Sequence, residues 1–319
     1  MKTDSVTLED IRAAHARIAS RVHRTPVLTS AWLDEEVGAR LYFKCENLQH
    51  VGAFKARGAC NAVFSLSDEA AARGVVTHSS GNHGAALAWA ARARGIAAHV
   101  VMPSNAAQPK QRAVAAYGAR VVFCEPTLAA REATCARVQA ETGATLVHPY
   151  NDLRVIAGQG TAAVELLEQA PGLEVVVVPV GGGGLLSGTA VAVKAVQAGT
   201  QVWGAEPAQA DDASQSLRAG RIVQTTANTV ADGLRSALGE LDFPLIQAHV
   251  DDIVTVSEEE IVAAMRRLWE ALRVIVEPSS AVAFAAVRGR RWSGGGPRVG
   301  LILTGGNVDL DHLPWSVGA

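Results

Sequence analysis

Short runs of apolar, mostly β-branched residues alternate along this chain with alanine-rich segments of helical spacing. The run EVVVVPV at 174–180 is the clearest, because its residues are apolar at consecutive positions. A strand with that pattern is buried on both faces, which is typical of a parallel sheet covered by helices. Alternating strands and helices also require crossover connections, and these make neighbouring strands parallel. The pattern therefore predicts an α/β protein.

The alternation continues from residue 41 to residue 304. Helix-like segments such as those at 85–95 and 160–170 lie between the predicted strands. Two helices are predicted to begin at capping boxes, one after Thr7 and one after Ser257. The predicted strands cover 41–46, 74–79, 98–103, 120–124, 145–150, 174–180, 201–206, 252–257 and 298–304.

The composition of the 319-residue chain argues against several classes of protein. Hydrophobic residues make up 49% and charged residues 19%, with a formal net charge of −2, so a nucleic-acid-binding surface is not expected. The apolar runs are too short to span a membrane, and the first residues do not resemble a secretory signal. The four cysteines lack the spacing of a zinc site or the density of a disulfide scaffold. We expect a cytoplasmic protein that acts on a small molecule.

Several glycine-rich turns follow predicted strands: SSGNHG at 79–84, GGGG at 181–184 and TGG at 304–306. Another turn, GAFKARG at 52–58, carries Lys55. In open parallel sheets, ligands bind outside the carboxyl ends of the strands. Backbone amides there, especially at helix N-termini, bind anions. The turns therefore suit a small phosphorylated cofactor whose carbonyl an amine captures, which is the chemistry of pyridoxal phosphate.

The GGGG turn leaves two other interpretations open. It is not a P-loop, because the required lysine followed by serine or threonine is absent. A dinucleotide fingerprint counted from Gly182 and Gly184 would need a third glycine where Ser187 stands, although Glu206 lies where a ribose-binding acid would fall. A nicotinamide-dependent oxidoreductase and a purely structural turn stay as alternatives.

Lys55 must be neutral to attack a carbonyl, whereas an ordinary lysine has a pKa of about 10.4. Burial among apolar neighbours and the nearby cation Arg57 are expected to lower this pKa.

Thr304 ends the last predicted strand. Its hydroxyl can hydrogen-bond a pyridine nitrogen without keeping that nitrogen fully protonated, which favours β-elimination.

Two further turns carry groups that suit small ligands. The hydroxyls and amides of SSGNHG can bind a carboxylate, and a hydrolase triad is not expected because the GxSxG elbow is absent. In EPAQADD, Glu206 and Asp212 with backbone oxygens suit a hard cation such as Mg²⁺ or Ca²⁺. Solvated loop acids are the alternative interpretation of that pair.

Together these motifs resemble the fold-type II pyridoxal-phosphate enzymes, specifically the branch of serine/threonine dehydratases and serine racemases. The resemblance extends from about residue 22 to about residue 312 and includes KCENLQHVGAFKARGACNAV, HPYNDLRVIAGQGT, VADGLRSALG and VEPSSA. It implies a tryptophan-synthase-β-like fold with two open, mostly parallel sheets. A large cofactor-binding domain (1–73 and 152–319), a small mobile domain (74–151) and a homodimer are implied as well.

The resemblance also implies roles for individual residues. Lys55 would form a Schiff base with the cofactor and remove the Cα proton of the substrate, and Ser80 would be the second base of a racemase. Cofactor contacts are implied for Phe54 at the ring, Asn82 at the phenolic oxygen, Thr304 at the ring nitrogen, and Gly181, Gly182, Gly183, Gly184 and Leu185 at the phosphate. Substrate contacts are implied for Ser79, Ser80, Asn82, His83, Arg131 and Ser236. A divalent cation, Mg²⁺ or else Ca²⁺ or Mn²⁺, is implied at Glu206, the Ala210 carbonyl and Asp212.

The implied activity is β-elimination from L-serine and L-threonine, which gives pyruvate or 2-oxobutyrate and ammonia. Racemisation of serine shares the same initial proton removal and is implied alongside it. Dehydration of threo-3-hydroxyaspartate is the rival activity, and Arg131 is the candidate partner for the second carboxylate of that substrate.

Overall fold

The computed structural model describes residues 5–79, 81–106, 108–290, 292 and 296–315, without the side chains of 109 and 110. Its strands are β1 (Val27–Leu28), β2 (Arg40–Cys45), β3 (Val75–His78), β4 (Ala98–Pro103), β5 (Arg120–Cys124), β6 (Thr145–Leu146), β7 (Val175–Pro179), β8 (Gln201–Pro207), β9 (Asp252–Val256) and β10 (Arg298–Leu303). Its helices are α1 (Leu8–Ile18), α2 (Ala31–Val37), α3 (Lys55–Phe64), α4 (Asp68–Ala72), α5 (Asn82–Arg94), α6 (Gln108–Ala116), α7 (Leu128–Thr142), α8 (Leu153–Gln169), α9 (Gly184–Val196), α10 (Asp212–Ala219), α11 (Phe243–His249), α12 (Glu258–Leu272) and α13 (Pro278–Arg288). Short 3₁₀ helices cover Glu46–Leu48, His50–Gly52, Ala208–Ala210 and Asp232–Leu234.

The described strands form two sheets. One has six strands in the order β1-β2-β10-β7-β8-β9, all parallel except β1, which pairs antiparallel with β2 at one edge. The other has four parallel strands in the order β5-β4-β3-β6. This arrangement confirms the predicted α/β class with two mostly parallel sheets.

The strand β7 explains why its sequence is apolar at consecutive positions. Val175 and Val177 belong to the core on one face of the larger sheet, which includes apolar residues of α12 and α13. Val176 and Val178 point to the opposite core, which includes residues of α8 and α9. Because successive side chains of a strand alternate between faces, a strand covered on both sides needs an apolar residue at each position.

The register of the larger sheet brings several of the predicted turns to one edge. Leu303 at the end of β10 pairs with Cys45 at the end of β2, and Pro179 at the end of β7 pairs with Ala205 of β8. Since these strands are parallel, the chain leaves each of them in the same direction. The turns that carry Lys55, the four glycines, Thr304 and Glu206 therefore start from the carboxyl edge of this sheet.

Details of the elements differ from the sequence-based prediction at two places. The predicted strand at 145–150 ends after Leu146, because the following residues leave the sheet to approach Lys55. The two-residue strand β1 was not predicted. Both predicted capping boxes are present, at Thr7 with Asp10 and at Ser257 with Glu260.

The four-stranded sheet is built from strands between Val75 and Leu146. The division into a large and a small mobile domain stays a prediction, as do the cytoplasmic location and the homodimer. Within the ranges that the structure describes, no helix has both the length and the apolar character needed to cross a bilayer.

Candidate active site

The turn before Lys55 is fastened by main-chain contacts to the loop after β10. The Phe54 amide donates a hydrogen bond to the Thr304 carbonyl at 3.0 Å, and Ala53 forms an isolated antiparallel bridge with Gly305. Lys55 itself is the first residue of α3. These contacts bring the predicted nucleophile and the predicted partner of the ring nitrogen to the same place.

The same turn has an unusual backbone at Val51 and Gly52. Their φ angles are 56° and 67°, and a β-branched residue such as Val51 rarely adopts this left-handed region. A Cβ atom on Gly52 would lie 2.7 Å from Asn307 Oδ1, while Asn307 Nδ2 donates to the Val51 carbonyl at 2.8 Å. Strain of this kind, of about 1–3 kcal/mol, persists only where surrounding contacts hold it, and it clusters at active sites.

The Lys55 amine is desolvated. Its Nζ donates a hydrogen bond to the Pro149 carbonyl at 2.7 Å and lies 5.0 Å from the centre of the Phe54 ring. Burial lowers the pKa of Lys55 to about 8, and the carboxyl group of Asp242 opposes that effect. A substantial fraction of this amine is therefore neutral, and hence nucleophilic, at mildly alkaline pH.

The expectation that Arg57 lowers the pKa of Lys55 is wrong. Residues two positions apart on an α-helix point in directions that differ by about 200°. Arg57 is fully buried on the other side of α3, where its guanidinium donates to the carboxylates of Glu46 and Glu165. Burial, rather than a neighbouring cation, lowers the pKa of the Lys55 amine.

The GGGG turn connects β7 to α9, and neighbouring atoms lie so close to its glycines that side chains would not fit there. A Cβ atom on Gly182 would lie 2.3 Å from the Tyr150 ring, and one on Gly181 would lie 2.9 Å from the Leu234 Cα. Gly183 has a φ of 100° and precedes α9. Because the first amides of a helix have no partner within it, the turn can donate several hydrogen bonds to an anion. The predicted phosphate contacts are consecutive there: Gly181, Gly182, Gly183, Gly184 and Leu185.

Thr304 ends β10 with a buried hydroxyl group. The residue is 4% exposed, and its Oγ1 has no hydrogen-bond partner among the described residues. Buried hydroxyls nearly always have a partner, so an orphaned hydroxyl at the carboxyl end of a strand, next to the turn of Lys55, is a candidate contact for a ligand atom. The orphaned hydroxyl and the glycine turn fit the two polar ends of pyridoxal phosphate, its ring nitrogen and its phosphate.

Asn82 is held by a hydrogen-bond network that was not predicted from the sequence. Its Nδ2 donates to Glu277 at 2.9 and 3.2 Å, and its Oδ1 accepts from Asn307 Nδ2 at 2.9 Å. The Asn307 amide donates to Glu277 Oε2 at 3.1 Å. Glu277 lies in the motif VEPSSA and Asn307 directly follows the TGG turn, but no local spacing indicates that they meet Asn82.

The SSGNHG turn leads from β3 into α5. The Gly81 amide donates to Ser79 Oγ at 3.3 Å, and a Cβ atom on Gly84 would lie 2.6 Å from the Ser79 carbonyl oxygen. Because the first amides of α5 have no carbonyl partner within the helix, they can donate hydrogen bonds to a carboxylate. Ser80 lies outside the described residues, so its role as a second base stays a prediction.

His83 contributes no positive charge to this site. It is 2% exposed, and its Nε2 is 3.2 Å from the Val147 carbonyl oxygen. Burial, with the nearby charge of Lys55, lowers the pKa of His83 well below its usual value. Carboxylate binding at this turn would therefore depend on amides and hydroxyls rather than on an imidazolium.

A line of polar side chains runs from Lys55 toward Arg131 on α7. The His148 ring centre lies 4.6 Å from that of Tyr150 and 5.2 Å from that of His78. Burial, followed by the charges of His78 and Lys55, lowers the pKa of His148 to about 4. Burial and the positive charge of Arg131 lower the pKa of His78. The charge of Arg131 therefore reaches this end of the site, where it disfavours a protonated His78. His78 and His148 were not predicted as site residues.

Ser236 lies on a segment that backs the glycine turn. Within that segment, the Gly239 amide donates to the Gly182 carbonyl at 3.0 Å. Ser236 is half-buried, and its side chain makes no hydrogen bond to another described residue. Leu234 and Gly239, on either side of Ser236 in the chain, therefore contact the glycine turn, while a substrate contact of Ser236 itself stays a prediction.

The predicted cation ligands lie at the end of β8. Glu206 is 1% exposed and accepts hydrogen bonds from the Ala213 and Ser214 amides at 3.1 and 2.7 Å. Asp212 is 4% exposed, and its Oδ2 has no hydrogen-bond partner among the described residues. Burial, together with the charge of Asp212, raises the pKa of Glu206 to about 8, and burial raises that of Asp212 to about 7. Across the described ranges, no cluster of three or more His, Cys, Asp or Glu suited to a metal ion was found.

Comparison with known proteins places these motifs in one family. The family model described as "Pyridoxal-phosphate dependent enzyme" matches residues 18–305. The β-hydroxyaspartate dehydratase of Paracoccus denitrificans (strain Pd 1222) is 54% identical over 311 residues, which cover 97% of this chain and 99% of the relative. The serine racemase of Dictyostelium discoideum is 47% identical over 314 residues and 97% of each chain. The solved structure of a threonine deaminase from T.th. has a TM-score of 0.90 and 45% identity, and covers 95% of this chain and 99% of that one.

Proposed function

Because the chain belongs to the family of pyridoxal-phosphate-dependent enzymes, we propose that it catalyses the elimination of water from small 3-hydroxy amino acids. L-Serine and L-threonine would give pyruvate or 2-oxobutyrate and ammonia. The observation that carries the proposal is the desolvated amine of Lys55, which lies beside a glycine turn able to bind phosphate and a loop with an orphaned hydroxyl. The family assignment replaces the dinucleotide interpretation of the GGGG turn.

The chain offers a partner for each polar group of the cofactor. We assign the phosphate to Gly181–Gly184 and the Leu185 amide, the ring nitrogen to Thr304 and the phenolic oxygen to Asn82, with Phe54 against the ring. When bound, pyridoxal phosphate supplies an electron sink for the electron pair left at Cα after its proton is removed. Because the partner of the ring nitrogen is a neutral hydroxyl, this sink would be moderate, which favours rapid loss of the β-hydroxyl.

The residues around the cofactor would orient the substrate and move its proton. Ser79 and the first amides of α5 would hold the substrate carboxylate, aided by the helix dipole. Lys55 would take the Cα proton on Nζ, which requires a neutral amine at the working pH. Relatives named serine racemases support a second reaction, in which Ser80 would return a proton to the opposite face of Cα.

A second candidate substrate, L-threo-3-hydroxyaspartate, is favoured by Arg131. Burial and the positive charge of its guanidinium lower the pKa of His78, at the end of the site away from the glycine turn. In addition, a relative that is 54% identical is named a β-hydroxyaspartate dehydratase. A second carboxylate on the substrate could accept hydrogen bonds from Arg131, whereas L-serine has no such group.

The substrate can be identified with the purified protein loaded with pyridoxal phosphate. We would measure ammonia and keto-acid release from L-serine, L-threonine and L-threo-3-hydroxyaspartate, and D-serine by chiral analysis. Keto-acid release from any of these would support elimination, and their relative kcat/KM values would identify the preferred substrate. If the cofactor is bound at Lys55 but none of the substrates releases keto acid, the proposed function is wrong.

Replacing Arg131 with alanine is expected to raise the KM for L-threo-3-hydroxyaspartate and to change that for L-serine little. A hydrogen bond to a charged group contributes about 1.5–3 kcal/mol, which corresponds to roughly tenfold to hundredfold in affinity. Arg137→Ala is a matched control, because Arg137 lies on the same helix and pairs at the surface with Glu141. Equal effects of Arg131→Ala on both substrates would contradict a selective role in binding the second carboxylate.

We also propose that Glu206, Asp212 and the Ala210 carbonyl bind a divalent cation such as Mg²⁺. Two buried carboxylates repel each other in the absence of a cation, and Asp212 has an oxygen available as a ligand. A cation at 100 times its Kd would stabilise the folded protein by about 2.7 kcal/mol. Because the unfolding entropy is about 2.1 cal/mol/K per residue, Mg²⁺ should raise the Tm of this 319-residue chain by roughly 4 °C over EDTA.

Thermal unfolding in Mg²⁺ and in EDTA tests this cation site. In Asp212→Asn the difference in Tm should shrink to within about 1 °C, because one ligand charge is removed. Asp211→Asn is the control, since the neighbouring Asp211 accepts a hydrogen bond from Gln215 Nε2 and is not a proposed ligand. A Tm increase of the same size in wild type and Asp212→Asn would contradict the assignment.

A further inference from the structure

Asp242 carries a buried carboxyl group that the proposed mechanism does not use. The residue precedes α11 and is 0% exposed. Neither carboxyl oxygen has a hydrogen-bond partner of good geometry among the described residues. The nearby Ser187 hydroxyl donates to the main-chain carbonyl of Asp242 at 3.3 Å. A buried carboxyl with two orphaned oxygens is costly unless a ligand completes it.

This carboxyl group lies against the glycine turn. A Cβ atom on Gly183 would be 2.8 Å from the Cβ of Asp242 and 3.2 Å from its Cγ. A Cβ atom on Gly239 would be 2.4 Å from Asp242 Oδ2, and the Gly239 amide donates to the Gly182 carbonyl. The side chain of Asp242 therefore packs against Gly183, immediately before the N-terminus of α9, where we assign the cofactor phosphate.

The surroundings of Asp242 disfavour its charged form. Burial raises the pKa of Asp242 well above its usual value, although Ser187 and Lys55 oppose this effect. The titratable groups whose electrostatics are coupled to it are Lys55 and Tyr150. No ion pair within 4.0 Å joins the described side chains of Lys55 and Asp242, and the Lys55 Nζ donates to the Pro149 carbonyl instead. A bound phosphate, itself an anion, would disfavour an ionised carboxylate further.

We propose that Asp242 is a neutral carboxylic acid in the cofactor-bound enzyme and donates a hydrogen bond to an oxygen of the cofactor phosphate. The inference rests on the proposed function, since it assigns the phosphate to this turn. The carboxylic O–H adds a side-chain donor to the amides of α9. No proton is transferred and no bond is broken, so the residue acts as a phosphate ligand and not as a catalyst.

The test compares the binding of pyridoxal phosphate with that of pyridoxal, which lacks the phosphate, to cofactor-free wild type, Asp242→Asn and Asp242→Ala. Asparagine keeps a donor of the same shape, so its Kd for pyridoxal phosphate should stay within about threefold of wild type. Alanine removes the donor and should weaken binding by roughly tenfold to hundredfold. The Kd for pyridoxal should be the same in all three proteins, because its phosphate is missing.

Two other outcomes with these variants would overturn the inference. A tenfold or greater gain in affinity in Asp242→Asn would mean that the wild-type carboxyl is ionised and repels the phosphate. Equal weakening of both ligands in Asp242→Ala would mean that Asp242 only supports the packing of the turn. Asp242→Thr retains a hydroxyl donor and replaces the alanine variant in the comparison if the latter does not fold, with weakening beyond tenfold contradicting the inference.

Failure of the inference is distinguishable from failure of the proposed function. If wild type binds no pyridoxal phosphate and borohydride traps none at Lys55, the proposed function is wrong. If wild type binds the cofactor and none of the Asp242 variants changes its Kd, the proposed function stands and the hydrogen bond to phosphate is absent.

Discussion

Replacing Lys55 with alanine is expected to abolish turnover while leaving the fold intact. Loss of a general base alone costs about 10²–10⁴-fold in rate, and this variant also loses the amine that captures the cofactor. The fold should tolerate the change, because Lys55 is a desolvated cation with its pKa lowered to about 8, so below that pH the folded state carries the cost of its charge. The measurements are kcat, borohydride trapping with peptide mass analysis, and Tm of the cofactor-free protein.

The pH dependence of cofactor capture provides a second readout of the same amine. Only the neutral amine attacks a carbonyl, so the rate of capture by wild type should rise with pH and level off above about pH 8. Lys194→Ala is the control, because Lys194 pairs with Asp251 away from the site and its loss should leave kcat unchanged. Cofactor trapped on another lysine of Lys55→Ala, with keto acid still released, would contradict the assignment.

Much of the fold follows from the apolar patterning of the chain. The consecutive valines of β7 indicate burial on both faces, and both faces are covered by helices. The strand β1 escaped prediction because two residues are too few to show a period. The segment after Leu146 has the composition of a strand, but it leaves the sheet where Pro149 accepts the Lys55 hydrogen bond. That departure depends on a tertiary contact that no local pattern records.

The predicted site is recovered best where its residues lie at strand ends. The turns after β7 and β10 could be placed at one edge, because parallel strands end together. The partners of Asn82 could not be predicted, since Glu277 and Asn307 are far from it in sequence and contact it only in the folded protein. Asp242 was not predicted as a site residue for the same reason, because its proposed role depends on its contacts with the glycines against which it packs.

Arg57 shows how a correct motif led to an incorrect physical expectation. Proximity in sequence suggested a cation beside the Lys55 amine, whereas helical geometry turns the two side chains apart. The helices α3 and α8 approach so closely that a Cβ atom on Gly158 would lie 2.7 Å from the Gly58 Cα. This approach brings Arg57 to Glu165 and makes it part of a buried ionic network.

The network joins β2, the 3₁₀ helix that follows it, α3 and α8 through four charged side chains. Arg57 Nε lies 2.7 Å from Glu46 Oε2, and Arg57 Nη2 lies 2.8 Å from Glu165 Oε2. Lys44 Nζ lies 2.6 Å from the same Glu165 oxygen. These side chains are 0–2% exposed. Two cations balance two carboxylates, so the desolvation of each charge is offset only while all four are present.

Arg57→Met is therefore expected to be strongly destabilising. The substitution keeps much of the side-chain volume but leaves Glu46 and Glu165 buried with Lys44 as their remaining cation in the network. Removing one partner of a buried pair typically costs about 3–5 kcal/mol of unfolding free energy, which urea denaturation of the cofactor-free protein measures. Arg137→Met, which breaks an exposed pair with Glu141, should cost less than about 1 kcal/mol.

The pH dependence of this loss distinguishes broken charge pairing from a simple packing defect. Burial alone would raise the pKa of Glu165, but Arg57 and Lys44 overcome that effect and lower it. A lowered carboxyl pKa stabilises the fold above its unfolded value of about 4.3, and this contribution is lost as pH falls through the lower folded value. In Arg57→Met the pKa of Glu165 should rise. The difference in unfolding free energy between variant and wild type should therefore narrow as pH falls below about 4. A free-energy difference that stays constant with pH would assign the loss of stability to packing. A loss of unfolding free energy below about 1 kcal/mol at neutral pH would mean that the buried carboxylates do not need Arg57 as a partner.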